Sequence, residues 1–105
     1  MTIETVPFDA SEFLDSAEAQ LELLQDAFDS GDAGYVAHSM GVVARARGMT
    51  AIARQAGVSR EALYKALTEN GDPKLSTLLG VLKALGVTLS AKPAGERPGG
   101  TKLSA

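Results

Sequence analysis

The stretch MTAIARQAGVSREALYKALT, residues 49–68, is the part of the sequence that decides the fold. It predicts two short helices joined by a three-residue turn. Such helices can cross at a steep angle only when the middle of the first holds a small residue, which here is Ala53. Gly57 can take the positive φ that a sharp reversal needs, Val58 is expected to point inward, and Ser59 can cap the second helix. Together these residues predict a helix-turn-helix.

The inner face of the second helix is predicted to consist only of small and aliphatic side chains. Its members are Ala62, Leu63, Ala66 and Leu67. We expect them to pack against Ile52, Ala56 and Val58, which belong to the first helix and the turn.

The outer face of the same helix carries polar side chains that suit contact with nucleic acid. They are Arg60, Glu61, Tyr64, Lys65 and Thr68. In a helix that enters the major groove, Arg60 can bind guanine through two hydrogen bonds, Glu61 can accept one from cytosine, and Lys65 can contact a phosphate. Tyr64 either contacts a thymine methyl group or a phosphate, or simply packs on its neighbours. The row is a candidate DNA-contacting surface, with a solvated outer face as the alternative.

Residues around this helix are candidates for phosphate contacts that position the protein rather than specify a sequence. They are Thr50, Arg54, Thr68, Lys74 and Thr77. Lys74 and Thr77 stand at the start of the next helix, where unpaired backbone amides attract an anion. Arg45 and Arg47 either extend this basic surface or pair with the acidic front of the chain, and the sequence leaves both roles open.

Outside the quoted stretch, apolar spacing and helix caps predict three more helices. The first spans residues 16–30, the second runs from an Asp32 cap to about residue 47, and the third spans residues 75–85. The face expected to be buried in the first helix comprises Ala17, Leu21, Leu24 and Phe28. We therefore expect an all-α fold, a small bundle of about five helices.

The two ends are predicted to lie outside this bundle. Residues 1–9 favour an extended arm or edge strand because they are rich in β-branched residues and include Pro7, and Ser11 can cap a short helical turn. The sequence of residues 87–91 allows a short terminal strand. The segment 92–105 is rich in Pro and Gly and is expected to be a disordered tail.

The charges are distributed unevenly along the chain, although the net charge is only −3. Residues 1–34 hold nine acidic and no basic residues, whereas residues 35–105 hold ten basic and four acidic ones. A basic segment suits a polyanion, and an acidic one suits a basic partner or is simply a solvated helix face. We divide the domain accordingly into an acidic arm and helix at 1–34, a helix-turn-helix core at 35–91 and a tail at 92–105.

Length and composition restrict the possible classes of protein. A chain of 105 residues that is 45% hydrophobic and 22% charged is expected to form one domain. It has no cysteine and one histidine, His38, so we expect no disulfide, metal site or cofactor, and no catalytic motif indicates an enzyme. No apolar stretch reaches the roughly 20 residues that cross a bilayer, and the N-terminus lacks the pattern of a signal peptide. We expect a cytoplasmic location and no membrane partner.

Over most of its length the sequence resembles the antidote proteins, or antitoxins, of type II toxin–antitoxin addiction modules, in particular the HigA-like group. The likeness runs from FDASEFLDS, residues 8–16, to Leu89, and its helix-turn-helix is similar to the Cro and lambda-repressor type. The family more often has Asn at the position of Asp72. The most specific parts are Gly-Met-Thr-x-Ile-Ala, Ser-Arg-Glu-x-Leu-Tyr-Lys-Ala-Leu and Gly-Asp-Pro-Lys-Leu-x-Thr.

The resemblance implies an all-helical antitoxin that binds and neutralises a small basic toxin of the RelE/ParE fold. Such proteins are usually homodimers that bind double-stranded operator DNA and repress their own operon. Their recognition residues map to Ser59, Arg60, Glu61, Tyr64 and Lys65. No short motif marks the toxin-binding surface, for which opposite charge favours residues 1–34. Two alternatives stay open: a free-standing regulator without a toxin, and an interaction module that does not touch DNA.

Overall fold

The computed structural model describes residues 16–94, which form five helices and no strand. The helices are α1 (Ala17–Ser30), α2 (Ala33–Arg47), α3 (Met49–Ala56), α4 (Arg60–Ala66) and α5 (Leu75–Leu85). The predicted all-α bundle of about five helices is therefore confirmed. The predicted arm at 1–9, the turn capped by Ser11 and the part of the tail at 95–105 lie outside the described residues.

The helices begin where the local sequence predicts. Ser16 caps α1, because its hydroxyl accepts a hydrogen bond from the backbone N–H of Ala19 at 3.0 Å. Asp32 caps α2, because its carboxylate accepts one from the N–H of Gly34 at 2.9 Å. These caps satisfy amides that the first turn of a helix leaves unpaired. Since only two residues separate α1 from α2, the acidic helix is held directly against the next one.

The core is built around α3, which packs against α2, α4 and α5, while α1 packs on α2. Side chains from all five helices and from the segment after α4 contribute to it. The buried apolar residues are Leu24, Met40, Val43, Ala44, Met49, Ile52, Ala53, Leu63, Leu67, Val81, Leu82 and Leu85. Burying an aliphatic side chain of this size stabilises a fold by about 1.5–3 kcal/mol. The position of α3 is therefore determined from several sides at once.

The buried face of α1 differs from the predicted one. Leu24 is buried and Phe28 is half-buried, but Ala17 is exposed and Leu21 is 49% exposed. The residues that α1 buries are Ala19, Gln20, Leu24 and Ala27. Because α1 packs mainly on the single helix α2, it buries a narrow stripe, and small alanines in that stripe allow a close approach. The prediction for Ala17 and Leu21 was wrong.

The predicted strand at 87–91 is also absent, because residues 87–94 have no regular secondary structure. No strand among the described residues is available to pair with it, and an isolated strand leaves its backbone groups unpaired. Val87 instead donates its backbone N–H to the carbonyl of Leu82 at 2.9 Å and packs its side chain against the core. The segment after α5 is thus turned back along the bundle.

Candidate nucleic-acid interface

The turn between α3 and α4 is formed by residues with specific backbone roles. Gly57 has φ of +78°, in the left-handed region that favours glycine, and its N–H donates to the carbonyl of Arg54 at 3.2 Å. Val58 follows with a hydrogen bond to the carbonyl of Ala53 and is half-buried against the core. Ser59 then caps α4 by accepting from the N–H of Ala62 at 3.0 Å. The sequence therefore reverses the chain within three residues.

A single row of α4 is buried. Leu63 is the one residue of α4 that is fully buried, Ala66 is half-buried, and Leu67 is buried just after the helix ends. Ala62, which was predicted to lie on the inner face, is exposed. The reason is geometric, because α4 has only seven residues and Ala62 lies about 100° around the helix from Leu63. The rest of α4 therefore faces outward.

The residues predicted to contact bases all lie on this outward side. Exposed positions are Ser59, Arg60, Glu61, Tyr64 and Lys65. Among the predicted phosphate contacts, Thr50, Arg54 and Lys74 are exposed, whereas Thr68 and Thr77 are half-buried. Thr68 lies beyond the end of α4, where its hydroxyl donates to the carbonyl of Lys65 at 3.5 Å. Ala53 and Leu63, which were predicted to support the helix-turn-helix from inside, are buried, with exposures of 3% and 0%.

Tyr64 has two arginines beside its ring. The guanidinium carbon of Arg60 is 5.4 Å from the centroid of the Tyr64 ring, and that of Arg45 is 5.7 Å from the same centroid. Both distances fall within the roughly 6 Å at which a cation is attracted by an aromatic ring. Arg60 Nη2 also donates to Tyr64 Oη at 3.4 Å. The tyrosine thus has specific neighbours, and the residue is 36% exposed.

Arg45 and Arg47, for which the sequence left two roles open, have different contacts in the structure. Arg47 Nε donates to Gln20 Oε1 on α1 at 2.6 Å, and its Nη2 donates to the carbonyl of Leu85 at 3.3 Å. Arg47 therefore contacts the acidic helix through an amide and ties α1 and α5 to the end of α2. Arg45 instead lies beside the ring of Tyr64 on α4. Spacing along the sequence carried no signal for this contact, because Arg45 is on α2.

The second charged surface lies on α1. Its exposed carboxylates are those of Glu18, Glu22, Asp26 and Asp29. Beside them is a cleft of about 180 Å³ whose apolar lining includes Leu21, Phe28 and Leu89. Asp29 pairs with Lys92 across an edge of this cleft, with an Oδ1–Nζ distance of 3.1 Å. The arrangement combines apolar contact area with negative charge.

One titratable contact joins α1 to α2. Tyr35 Oη donates to Asp26 Oδ2 at 2.6 Å. This hydrogen bond, together with desolvation and the negative charge of Asp26, raises the pKa of Tyr35 above its ordinary value. The neutral phenol is therefore favoured, and the contact helps to hold the two helices together.

Other classes of site have little support in the part of the chain that the structure describes. His38 is exposed on α2. Between residues 16 and 94, no three Asp, Glu or His side chains are grouped so that they can hold a metal ion. No helix in this range is sufficiently long and apolar to pass through a membrane.

Comparison with known proteins gives a family for the chain. The family described as "Probable addiction module antidote protein" matches residues 4–93. A protein of Haemophilus influenzae, described as an uncharacterized protein, is 41% identical over 85 residues, which span 81% of this chain and 88% of that protein. No solved structure matches. The chain therefore belongs to the family of probable addiction module antidote proteins.

Proposed function

We propose that the chain is a HigA-like antitoxin that neutralises a RelE/ParE-like toxin and represses its own operon by binding operator DNA. Membership of the antidote family indicates an antitoxin role in an addiction module and a toxin as partner. The observation that carries the DNA-binding part is the α3–α4 pair, in which α4 buries Leu63 and turns its polar residues outward. The pair is proposed to be a helix-turn-helix of the Cro and lambda-repressor type.

In this proposal α4 is the recognition helix and lies in the major groove. Arg60 binds guanine, Glu61 accepts from cytosine, and Tyr64 and Lys65 reach a thymine methyl group or a phosphate. Ser59 contacts a base or the backbone at the start of the helix. These roles are supported by the exposure of all five side chains.

Residues around α4 are proposed to bind the DNA backbone. They are Thr50, Arg54, Thr68, Lys74 and Thr77. Lys74 stands at the start of α5, where no side chain of the described residues caps the first turn, so its amides are available to a phosphate. A homodimer places two copies of α4 about 34 Å apart, which suits a palindromic operator. With DNA as its ligand the protein acts in the cytoplasm, and no cofactor or catalysis is needed.

The toxin is proposed to bind the acidic face of α1 and the cleft beside it. Toxins of this class are expected to be basic, and opposite charges speed association and favour the right partner. The partly exposed Leu21 and Leu89 supply apolar surface beside the acidic face of α1, and exposed apolar side chains of this kind can anchor a protein interface. This surface belongs to a different helix from the proposed DNA contacts.

The experiment that tests this function is co-expression of the chain with the adjacent small open reading frame. Purification through a tag on one protein measures binding of the other, growth measures neutralisation, and a shift assay on the shared promoter at stated salt measures DNA binding. We expect the two proteins to copurify, growth to be rescued and the promoter to shift. A promoter shift without a copurifying partner supports a free-standing regulator. Copurification and rescue without a shift support an antitoxin that does not repress.

A further inference from the structure

We propose that Arg45, held against the ring of Tyr64, binds one phosphate of the DNA backbone. The inference rests on the proposed operator binding and adds to it a residue from α2, outside the two helices and the turn. Arg45 is the new member, and its ligand is a phosphodiester group.

The geometry places two guanidinium groups against one tyrosine ring. The guanidinium groups of Arg45 and Arg60 lie 5.7 and 5.4 Å from the centroid of the Tyr64 ring, and Arg60 also donates to the tyrosine hydroxyl. Each cation is attracted by the ring, which limits the conformations of two long side chains. Because those conformations are already restricted, less entropy is lost when a ligand binds.

The backbone explains why a residue of α2 reaches α4. Gly41 lies four residues before Arg45, so both are on the same face of α2. A Cβ atom at Gly41 would overlap the carbonyl oxygen of Leu67, which shows that α2 runs directly against the end of α4. Tyr64 is one turn earlier in α4 and so comes to lie beside Arg45. The contact therefore follows from how the helices are packed.

The charges favour an anion. Between residues 16 and 94, neither Arg45 nor Arg60 is paired with a carboxylate, although Glu61 is next to Arg60 in the chain. A guanidinium group binds phosphate well because its fork of N–H donors matches the phosphate oxygens.

The location favours the DNA backbone over the bases. A helix in the major groove offers its own side chains to the base edges, while residues of neighbouring elements meet the phosphates at the groove wall. Arg45 is on such a neighbouring element. The site therefore fixes the position of α4 on DNA, and its contribution should be similar for specific and random sequences.

The test compares Arg45→Ala with Lys83→Ala in the full-length chain, using fluorescence anisotropy on promoter DNA and on random DNA at several salt concentrations. Both variants lose one positive charge, and Lys83 is an exposed residue in the last turn of α5, without a proposed role in binding. We expect Arg45→Ala to weaken binding to both DNAs about tenfold. The slope of log affinity against log salt should fall by about 0.9, as for one lost phosphate contact. Lys83→Ala should leave the slope unchanged.

A double-mutant cycle tests whether the site acts as a unit. In a Tyr64→Ala background, adding Arg45→Ala should have much less effect than it has in the wild type, because the ring that holds the arginine is already lost. Circular dichroism and thermal unfolding of each variant report whether it is folded.

The outcomes separate this inference from the proposed function. If the folded wild type does not bind its promoter, the operator-binding part of the proposed function and the phosphate site are both overturned. If the wild type binds but Arg45→Ala keeps the same salt slope, or matches Lys83→Ala, only the phosphate site is overturned. Full additivity of Arg45→Ala and Tyr64→Ala would likewise contradict a joint site.

Discussion

At the scale of single residues, Gly41 controls how closely α2 approaches the end of α4. Replacing Gly by Ala inside a helix usually stabilises a protein by about 0.5–1 kcal/mol. Here the new methyl group would overlap the carbonyl oxygen of Leu67, so Gly41→Ala should instead lower the free energy of unfolding by about 1–3 kcal/mol. Urea unfolding measures the change. A more stable variant would show that α2 and α4 are not in close contact.

Ser39 offers a second test at this scale. Its hydroxyl oxygen is buried on α2, and among the described residues it has no hydrogen-bond partner. An unsatisfied buried hydroxyl costs about 1–3 kcal/mol, so Ser39→Ala should raise the free energy of unfolding by about 1 kcal/mol. Ser76→Ala, at an exposed position of α5, corrects for the better helix propensity of alanine. Equal gains in the two variants would mean that Ser39 carries no burial penalty.

At the scale of helices, the predictable features are those encoded by neighbouring residues. Asp32 and Ser59 cap helices as expected because each acts on an amide two or three residues away. The outward face of α4 also followed from spacing. The predictions that failed concern features that depend on residues far away in the sequence. The exposure of Leu21 is set by how α1 packs on α2, and a strand at 87–91 would have needed a second strand to pair with. The contact of Arg45 with Tyr64 belongs to this second kind.

The link between α1 and α2 should depend on pH through Tyr35. Since the hydrogen bond to Asp26 raises the pKa of Tyr35 above the unfolded value of 10.0, its stabilising contribution is fully present below pH 10.0. It is lost as the pH rises through the higher pKa of the folded state. Urea unfolding can be measured at about pH 8 and about pH 11, below and above the range in which tyrosine titrates. Between these pH values the free energy of unfolding should fall more for the wild type than for Tyr35→Phe. Equal losses of stability in the wild type and in Tyr35→Phe would contradict this linkage.

The cleft beside α1 gives a further prediction at the scale of elements. Leu21→Asp adds charge to an apolar wall and should weaken toxin binding at least about tenfold, as for loss of an interface anchor. Stability should change little, because Leu21 is 49% exposed. Leu79→Asp, at a leucine of α5 that is 45% exposed, is the matched control and should leave toxin capture unchanged. Toxin capture can be measured by titration in an immobilised-partner assay. Equal losses would place the toxin elsewhere.

At the scale of the whole molecule, the two charged surfaces lie on different parts of the bundle. The acidic helix α1 packs on α2, whereas α4 packs on α3, and the core joins them through α2 and α3. The net charge of −3 therefore conceals a separation of opposite charges within one domain. A charged surface attracts partners of opposite sign over about one Debye length, roughly 8–10 Å in physiological salt. Two surfaces on separate helices can serve two partners.

This separation predicts that the two activities can be removed one at a time. Replacing Glu18 and Glu22 by Gln should slow toxin association several-fold, because opposite charge on the two partners speeds their encounter. Promoter binding should stay equal or become stronger, because negative charge is removed from a protein that approaches a polyanion. Replacing Arg54 and Lys65 by Gln should do the reverse and lower the salt slope of DNA binding by about 1.8, for two lost phosphate contacts. Each pair serves as the control for the other, since all four side chains are exposed. If either pair of substitutions weakens both activities to the same extent, toxin and DNA bind to one shared surface. The chain then binds one of them at a time rather than both together.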